Sequence, residues 1–438
     1  MPLLRSKRAR RSAARPAAAR PSSAATDRAP LPAQSAAPRR PASRAGIVVR
    51  VAWFLLAAWG LLAGLAATWR PAAALAVLAV AAYVTLPIVA FARRGGAWRR
   101  YPTALFRLAV VRPALYALVL LPVVSAAALL GVLGGLPFGH AAAAGRVAAL
   151  GALAAGALLS AAGWLGSRRL RVREVEARVP GLPAAWDGVR IVQLSDLHVG
   201  PQTSRRFLTR AARAAGALRP DLVVLTGDLV DDRAEDTAVF ARWVGELAAA
   251  APAPLGLFAV AGNHDVYAGW PAVADALGRL TPLQVLVNEA RLLERGGAAL
   301  AVVGVGDPAG GRATGPGSAA PDLPRAFAGV PPGTPVLALA HNPVLFGPLG
   351  AYGPALTLSG HTHWGQFALP ARGWSLASPF QEFAMGGYER GGSLLYVHPG
   401  TGFWGLPFRL GAEPEVTAVT LRAVGADARA EVVVGRAR

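Results

Sequence analysis

Four apolar stretches mark the first part of this chain, at roughly Val51–Trp69, Pro71–Ala92, Ala114–Gly135 and Val147–Ser167. Each runs about 19–22 residues without an acid or base in its interior, the length a bilayer core requires. A soluble helix of that length would carry a polar face; these show none, so the pattern predicts four transmembrane helices. Pro87 and Pro122 would kink their helices, which lipid-embedded bundles tolerate. Trp53, Trp69, Trp98 and Trp164 fall near the ends of the stretches, where interfacial anchors sit.

Beyond residue 180 the texture changes to short apolar runs separated by Ala-rich amphipathic stretches. "VRIVQL", "LVVLTG", "LFAVAG", "ALAVVGV", "VLALAH", "ALTLSG" and "SLLYVHPG" read as strands. "SRRFLTRAARAAGAL", "DTAVFARWVGELAAA" and "GWPAVADALGRL" read as helices. Alternating strands and helices predict a layered α/β domain with a largely buried sheet. The Pro- and Gly-rich "GDPAGGRATGPGS" reads as a loop at the rim of a site. Residues 1–45, rich in Ala, Pro, Ser and Arg, show no periodicity and read as a disordered basic tail. The expected division is therefore tail 1–45, membrane domain 46–169 and α/β domain 170–438.

Charge sharpens that division. Residues 1–169 hold 22 of the 45 Lys and Arg against one acid, Asp27, whereas the rest carries 23 of each sign. The isoelectric point of 11.6 thus belongs to the part built of apolar helices. There, basic residues read as topology signals and lipid-headgroup contacts, so no nucleic-acid partner is expected. Eleven arginines precede the first stretch; Arg93, Arg94, Arg99, Arg100, Arg107 and Arg112 follow the second; Arg168, Arg169, Arg171 and Arg173 follow the fourth. The other two loops hold only Arg70 and Arg146. This bias predicts a multi-pass cell-membrane protein with both termini and the α/β domain in the cytoplasm. The opposite orientation stays open. With no cysteine, disulfides, thiolate metal sites and a catalytic thiol are excluded.

Polar residues recur where the expected strands end. "IVQLSDLH" delivers Asp196 and His198, "VVLTGD" Asp228, "FAVAGNHD" Asn263, His264 and Asp265, "LALAH" His341, and "LTLSGHTH" His361 and His363. These are five of the seven histidines, and they emerge where α/β sheets assemble their sites. A His, Asp and Asn set without thiols selects a divalent ion such as Mn²⁺, Fe²⁺ or Zn²⁺. These donors are too many for one ion and suit two that share a carboxylate. A pair of metals about 3.5–4 Å apart clamps the attacking and leaving oxygens of phosphate ester hydrolysis.

Taken together, Asp196-Leu-His198, Gly227-Asp228, Gly262-Asn-His-Asp265, His341 and Gly360-His-Thr-His363 resemble the calcineurin-like metallophosphoesterase superfamily. All blocks stand in the expected order across about 170 residues. "AHNP" and the closing "GTGFWGLPFRLGAEPEVTAVTL" further resemble a bacterial branch that often carries a membrane-spanning amino-terminal region. The resemblance covers roughly residues 170–425. It implies an αββα sandwich behind the four helices, with Asp196, His198, Asp228 and His363 on one metal. The second metal would take Asp228 as the shared bridge with Asn263, His341 and His361. His264 would face the phosphate rather than a metal, oriented by Asp231. Trp364 departs from the glycine often found after the final block. His398 has no role in the motif.

The expected activity is hydrolysis of a phosphomono- or diester by a membrane-anchored, metal-dependent phosphoesterase, a phosphorylated lipid or lipid-linked compound being one substrate class. Two alternatives remain at this stage: a sensor or scaffold that binds phosphorylated ligands without turnover, and a transport unit regulated by the domain. The apolar stretches contain no interior ionisable residue, whereas transport paths usually do.

Overall fold

A computed structural model describes residues 44–93, 103–311 and 317–437. The basic tail lies outside the described residues except for its last two positions, as do Arg94, Trp98, Arg99, Arg100 and the centre of the Pro- and Gly-rich loop.

Apolar helices span Arg44–Ala67, Pro71–Arg93, Arg112–Gly135 and Ala141–Gly166. Among the described residues, Pro71–Ala90, Arg107–Phe138 and Ala141–Gly166 are long and apolar enough to cross a membrane, while the apolar run Ala52–Ala67 is shorter. The third segment starts earlier than the apolar pattern predicts, because the helix continues through Arg107 and Arg112. It does so by a π-helical turn at Arg107–Val111, just ahead of Pro113. Proline cannot donate to the carbonyl four residues back and crowds it, and one wide turn relieves that conflict. The carbonyl concerned, that of Ala109, accepts the hydroxyl of Tyr83 from the second helix.

Two mixed sheets follow. The first runs, in spatial order, Glu431–Val434, Arg171–Pro180, Glu415–Val424, Arg190–Leu194, Leu222–Leu225, Leu257–Ala259 and Gln284–Val285. The second runs Gly386–Arg390, Ser393–Val397, Leu356–Ser359, Val336–Leu339, Ala298–Gly304 and Glu289–Arg295. Neighbours from Arg190 to Val285 are parallel, as are those from Ser393–Val397 to Ala298–Gly304.

Alternation along the strands sorts side chains into three apolar layers. Ile191, Val224 and Phe258 of the first sheet meet Leu300, Val302, Leu337 and Leu358 of the second. On the other face of the first sheet, Val192, Val223 and Leu225 pack on Leu208, Phe240, Trp243 and Val273. These come from the amphipathic helices Arg205–Ala217, Thr237–Ala250 and Trp270–Leu280. Ala301, Val303 and Ala338 of the second sheet pack on Ala326 and Leu349, from the short helices Leu323–Phe327 and Phe346–Leu349. The result is the αββα sandwich.

The last apolar helix abuts the loop after the second sheet. Arg409 N–H donates to the Gly163 carbonyl at 2.8 Å, and a Cβ on Gly166 would lie 1.9 Å from the Arg409 carbonyl oxygen. Only glycine permits this approach.

Candidate metal centre

The carboxyl ends of Arg190–Leu194, Leu222–Leu225, Leu257–Ala259, Val336–Leu339 and Leu356–Ser359 lead into the residues singled out above. The loops there are strained. Among the described residues, nine non-glycine positions have positive φ, and seven are Asp196, His198, Asp228, His361, His363, Trp364 and Gln366. Such conformations cost about 1–3 kcal/mol each and persist where the surroundings over-determine them. Asp265 supplies part of that bracing. Its fully buried carboxylate accepts the N–H groups of Leu229 and Val230 at 3.0 Å and of Gly262 at 2.8 Å. It thereby ties the loop after Asp228 to the turn that presents Asn263 and His264. Close approach does the rest at Gly360, where a Cβ would lie 2.4 Å from Asp196 Oδ2.

Asp196, His198, Asp228 and His363 bring one donor atom each within 4.8 Å of one another, all buried. His198 Nε2 stands 2.9 Å from His363 Nε2 and 3.4 Å from Asp228 Oδ2. His363 Nε2 lies 3.4 Å from Asp196 Oδ1. Asp228 Oδ2 also lies 3.3 Å from His341 Nε2, so this one oxygen faces both groups of donors. In the second group, Asn263 Oδ1 lies 3.1 Å from His341 Nε2 and 2.8 Å from His361 Nδ1. All seven expected donors are thus brought together.

The donor chemistry fits cations. His341 Nδ1 donates to the Thr226 carbonyl at 2.7 Å, which in the neutral ring leaves Nε2 a lone pair aimed at two oxygen acceptors. His198 Nδ1 likewise donates to Asp231 Oδ1 at 3.2 Å, turning its Nε2 lone pair inward. Asp196 Oδ2 is buried and has no hydrogen-bond partner among the described residues. Acceptors converging in a buried space are costly unless positive charge joins them. Titration reflects the same conflict. Burial lowers His341, but the Asp228 carboxylate outweighs it and holds the ring well above its usual range. Burial pushes the other way on Asp228, and His341 and His198 overcome it and hold the carboxyl well below its ordinary range. Burial and the His341 charge bring His361 down to about 4. Burial and the Arg409 guanidinium hold His363 far below its ordinary value. Those last two imidazoles are neutral at physiological pH; because His363 Nδ1 accepts from Arg409 at 2.7 Å, its ring proton sits on Nε2 and has to leave when that nitrogen binds a metal.

His264 stands beside the donors. Its backbone N–H donates to Asp228 Oδ1 at 2.8 Å, and its Nδ1 donates to the Asp231 carbonyl at 2.9 Å. The Asp231 carboxylate is closer to His198 (3.2 Å) than to His264 (3.5 Å), and Asp232 also reaches His264 at 3.5 Å. Burial alone would lower His264; the Asp232 bond and the fields of Asp228 and Asp231 win and push it up to about 9.

His198, Asp228, Asn263, His264, His361 and His363 line a cleft of about 370 Å³ whose lining also includes Gln366, Phe380, Gln381 and Trp404. Phe380 is 85% exposed and Trp404 54%. Trp364 is not among the cleft-lining residues. His398 is fully buried elsewhere, its Nδ1 accepting the Gly400 N–H at 2.9 Å.

Sequence reasoning missed Arg409. Its fully buried guanidinium donates to His363 Nδ1 at 2.7 Å and to the carbonyls of His363, Pro399, Gly402 and Ala412. The residue stands in the quoted closing block, but its partners are set by the fold and not by spacing. The bracing by Asp265 was equally hidden, although that residue belongs to the quoted Gly-Asn-His-Asp block.

Comparison with known proteins agrees with this geometry. Residues 189–365 match the family model described as calcineurin-like phosphoesterase. The chain is 31% identical over 279 residues to a Bacillus subtilis protein named uncharacterized metallophosphoesterase YkuE, covering 62% of this chain and 94% of that one. The chain belongs to the calcineurin-like metallophosphoesterase family. It is also 32% identical over 263 residues to a Danio rerio protein named transmembrane protein with metallophosphoesterase domain. That alignment covers 58% of this chain and 57% of the relative. A third relative, from Chlamydia trachomatis and named UDP-2,3-diacylglucosamine pyrophosphatase LpxG, is 28% identical over 291 residues, 54% of this chain and 84% of that one.

Proposed function

We propose that this protein is a membrane-anchored phosphoesterase that uses two divalent metal ions to hydrolyse a phosphate ester, with phosphorylated lipids as the substrate class. The observation that carries the reading is the seven-donor set in which Asp228 Oδ2 faces both His198 and His341. Asp196, His198, Asp228 and His363 would hold one ion; Asp228, Asn263, His341 and His361 would hold the other. Bound there, Mn²⁺, Fe²⁺ or Zn²⁺ would supply Lewis acidity to the phosphoryl oxygens and to a water nucleophile.

The chain's own groups then divide the remaining work. His264 has Nδ1 fixed by the Asp231 carbonyl, so Nε2 is the atom that carries a proton to the leaving oxygen. Asp231 and Asp232 keep that proton available. Asp265 holds the two loops in register, and Arg409 holds His363. Trp404 and Phe380 supply an apolar rim suited to a lipid-linked ester. The diacylglucosamine in the name of the Chlamydia relative supports the same class.

A membrane domain at 46–169 and a metallophosphoesterase domain at 170–438 complete the proposal. Among the described residues, three helices long and apolar enough to span, together with the relative named transmembrane protein from Danio rerio, support membrane insertion. The arginine bias supports a cytoplasmic catalytic domain. The test is hydrolysis by the purified full chain with Mn²⁺, Fe²⁺ or Zn²⁺ across phosphorylated lipids, nucleotides and sugar phosphates. Turnover of a lipid ester supports the proposal, and turnover of none of these counts against it.

A further inference from the structure

A second cavity, of about 280 Å³, lies away from the metals between the helices Arg112–Gly135 and Ala141–Gly166. Leu108, Tyr116, Ala161 and Trp164 give it apolar walls, and half-buried Arg112 is among its lining residues. Arg168 stacks on Trp164, its guanidinium 3.7 Å from the ring centre. The charges of Arg107 and Arg168 both reach Arg112. No acid occurs in the sequence between Asp27 and Glu174. Arg112 Nε donates to a neutral oxygen there, Gln202 Oε1, at 3.5 Å. A half-buried guanidinium, Arg112, with the exposed cation Arg168 beside it and apolar walls around it, favours an anion. An anion that also fills an apolar groove between spanning helices is an amphiphile.

We propose that this groove binds one anionic phospholipid, its phosphate held by Arg112 and Arg168 and an acyl chain lying along Leu108, Tyr116 and Trp164. The site goes beyond hydrolysis and does not depend on it. It nevertheless touches the metal centre through two routes. Gln202, against Arg112, precedes Thr203, whose hydroxyl donates to the His198 carbonyl at 2.6 Å. Tyr116 donates to the Pro407 carbonyl at 3.1 Å, two residues before the Arg409 that holds His363.

Native mass spectrometry of the full chain in detergent, titrated with phosphatidylglycerol or phosphatidylcholine, tests the binding directly. One phosphatidylglycerol is expected to be retained at least about 10-fold more tightly than phosphatidylcholine. Arg112→Gln with Arg168→Gln should abolish the preference, and Ala161→Trp, which fills the groove and leaves the charges, should block retention. Unchanged metal content in these variants shows that they are folded. Equal retention of both lipids, or full retention by both variants, overturns the proposal. So does displacement of the lipid by glycerol phosphate at equal concentration, which would assign the site to free phosphate. Retention by a preparation that hydrolyses nothing supports this proposal while sinking the previous one.

Discussion

Asp228 and His341 face each other at 3.3 Å in a space with 2% and 0% side-chain exposure. The same Asp228 oxygen lies 3.4 Å from His198, which makes this carboxylate the hinge of the donor set. Asp228→Asn removes the shared charge and nearly preserves shape. Hydrolysis should fall on the order of 10³-fold, and metal content measured by plasma mass spectrometry should drop from two ions per chain to one or none. Two tightly held ions in this variant would show that Asp228 is not the bridge.

His264→Gln separates proton delivery from metal binding. With both ions retained, kcat should fall roughly 10²–10⁴-fold on an alkyl phosphate ester. On a p-nitrophenyl ester, whose leaving group needs no proton, most of that loss should vanish. Equal losses on both esters would assign His264 to another task.

Asp265→Ala leaves the N–H groups of Leu229, Val230 and Gly262 without their acceptor. Buried orphan donors cost about 1–3 kcal/mol each, so denaturant unfolding should show a loss on the order of 3–5 kcal/mol. Asp265→Asn, which keeps an acceptor oxygen, should lose less. Equal stability of wild type and Asp265→Ala would mean the loops are held by other contacts.

Gly166→Ala tests whether the last apolar helix supports the site. Its new Cβ would meet the Arg409 carbonyl, and overpacking of this kind costs about 1–3 kcal/mol. Displacing Arg409 loosens His363, so weaker metal retention during dialysis is expected from a substitution in a membrane helix. Gly151→Ala, where a Cβ meets nothing within 4 Å, is the control and should behave as wild type.

Strands with continuous apolar runs were legible because both their faces are buried: Leu222–Leu225 and Val336–Leu339 are buried at every position. Arg171–Pro180 was not, because its sequence RVREVEARVP buries Val175, Ala177 and Val179 while charged residues alternate with them. Period-two burial within a charged segment reads as a linker until its partner, Glu415–Val424, some 240 positions away, is known. The donors were legible because histidine is scarce and its positions follow strand ends. Arg409 was not, since a lone arginine in an apolar block carries no periodicity, and its contact with His363 spans 46 residues. The early start of the third apolar segment escaped for a local reason: Pro113 suggests a helix boundary until the π-turn and the Tyr83 hydroxyl are seen.

Metal stoichiometry and hydrolysis measured on one preparation of the full chain test the central claim most directly. Two divalent ions per chain are expected, with phosphate ester hydrolysis lost on chelation and restored by Mn²⁺, Fe²⁺ or Zn²⁺. A chain that takes up no ions at these donors, or that hydrolyses its substrate equally well after both are stripped, would contradict the account.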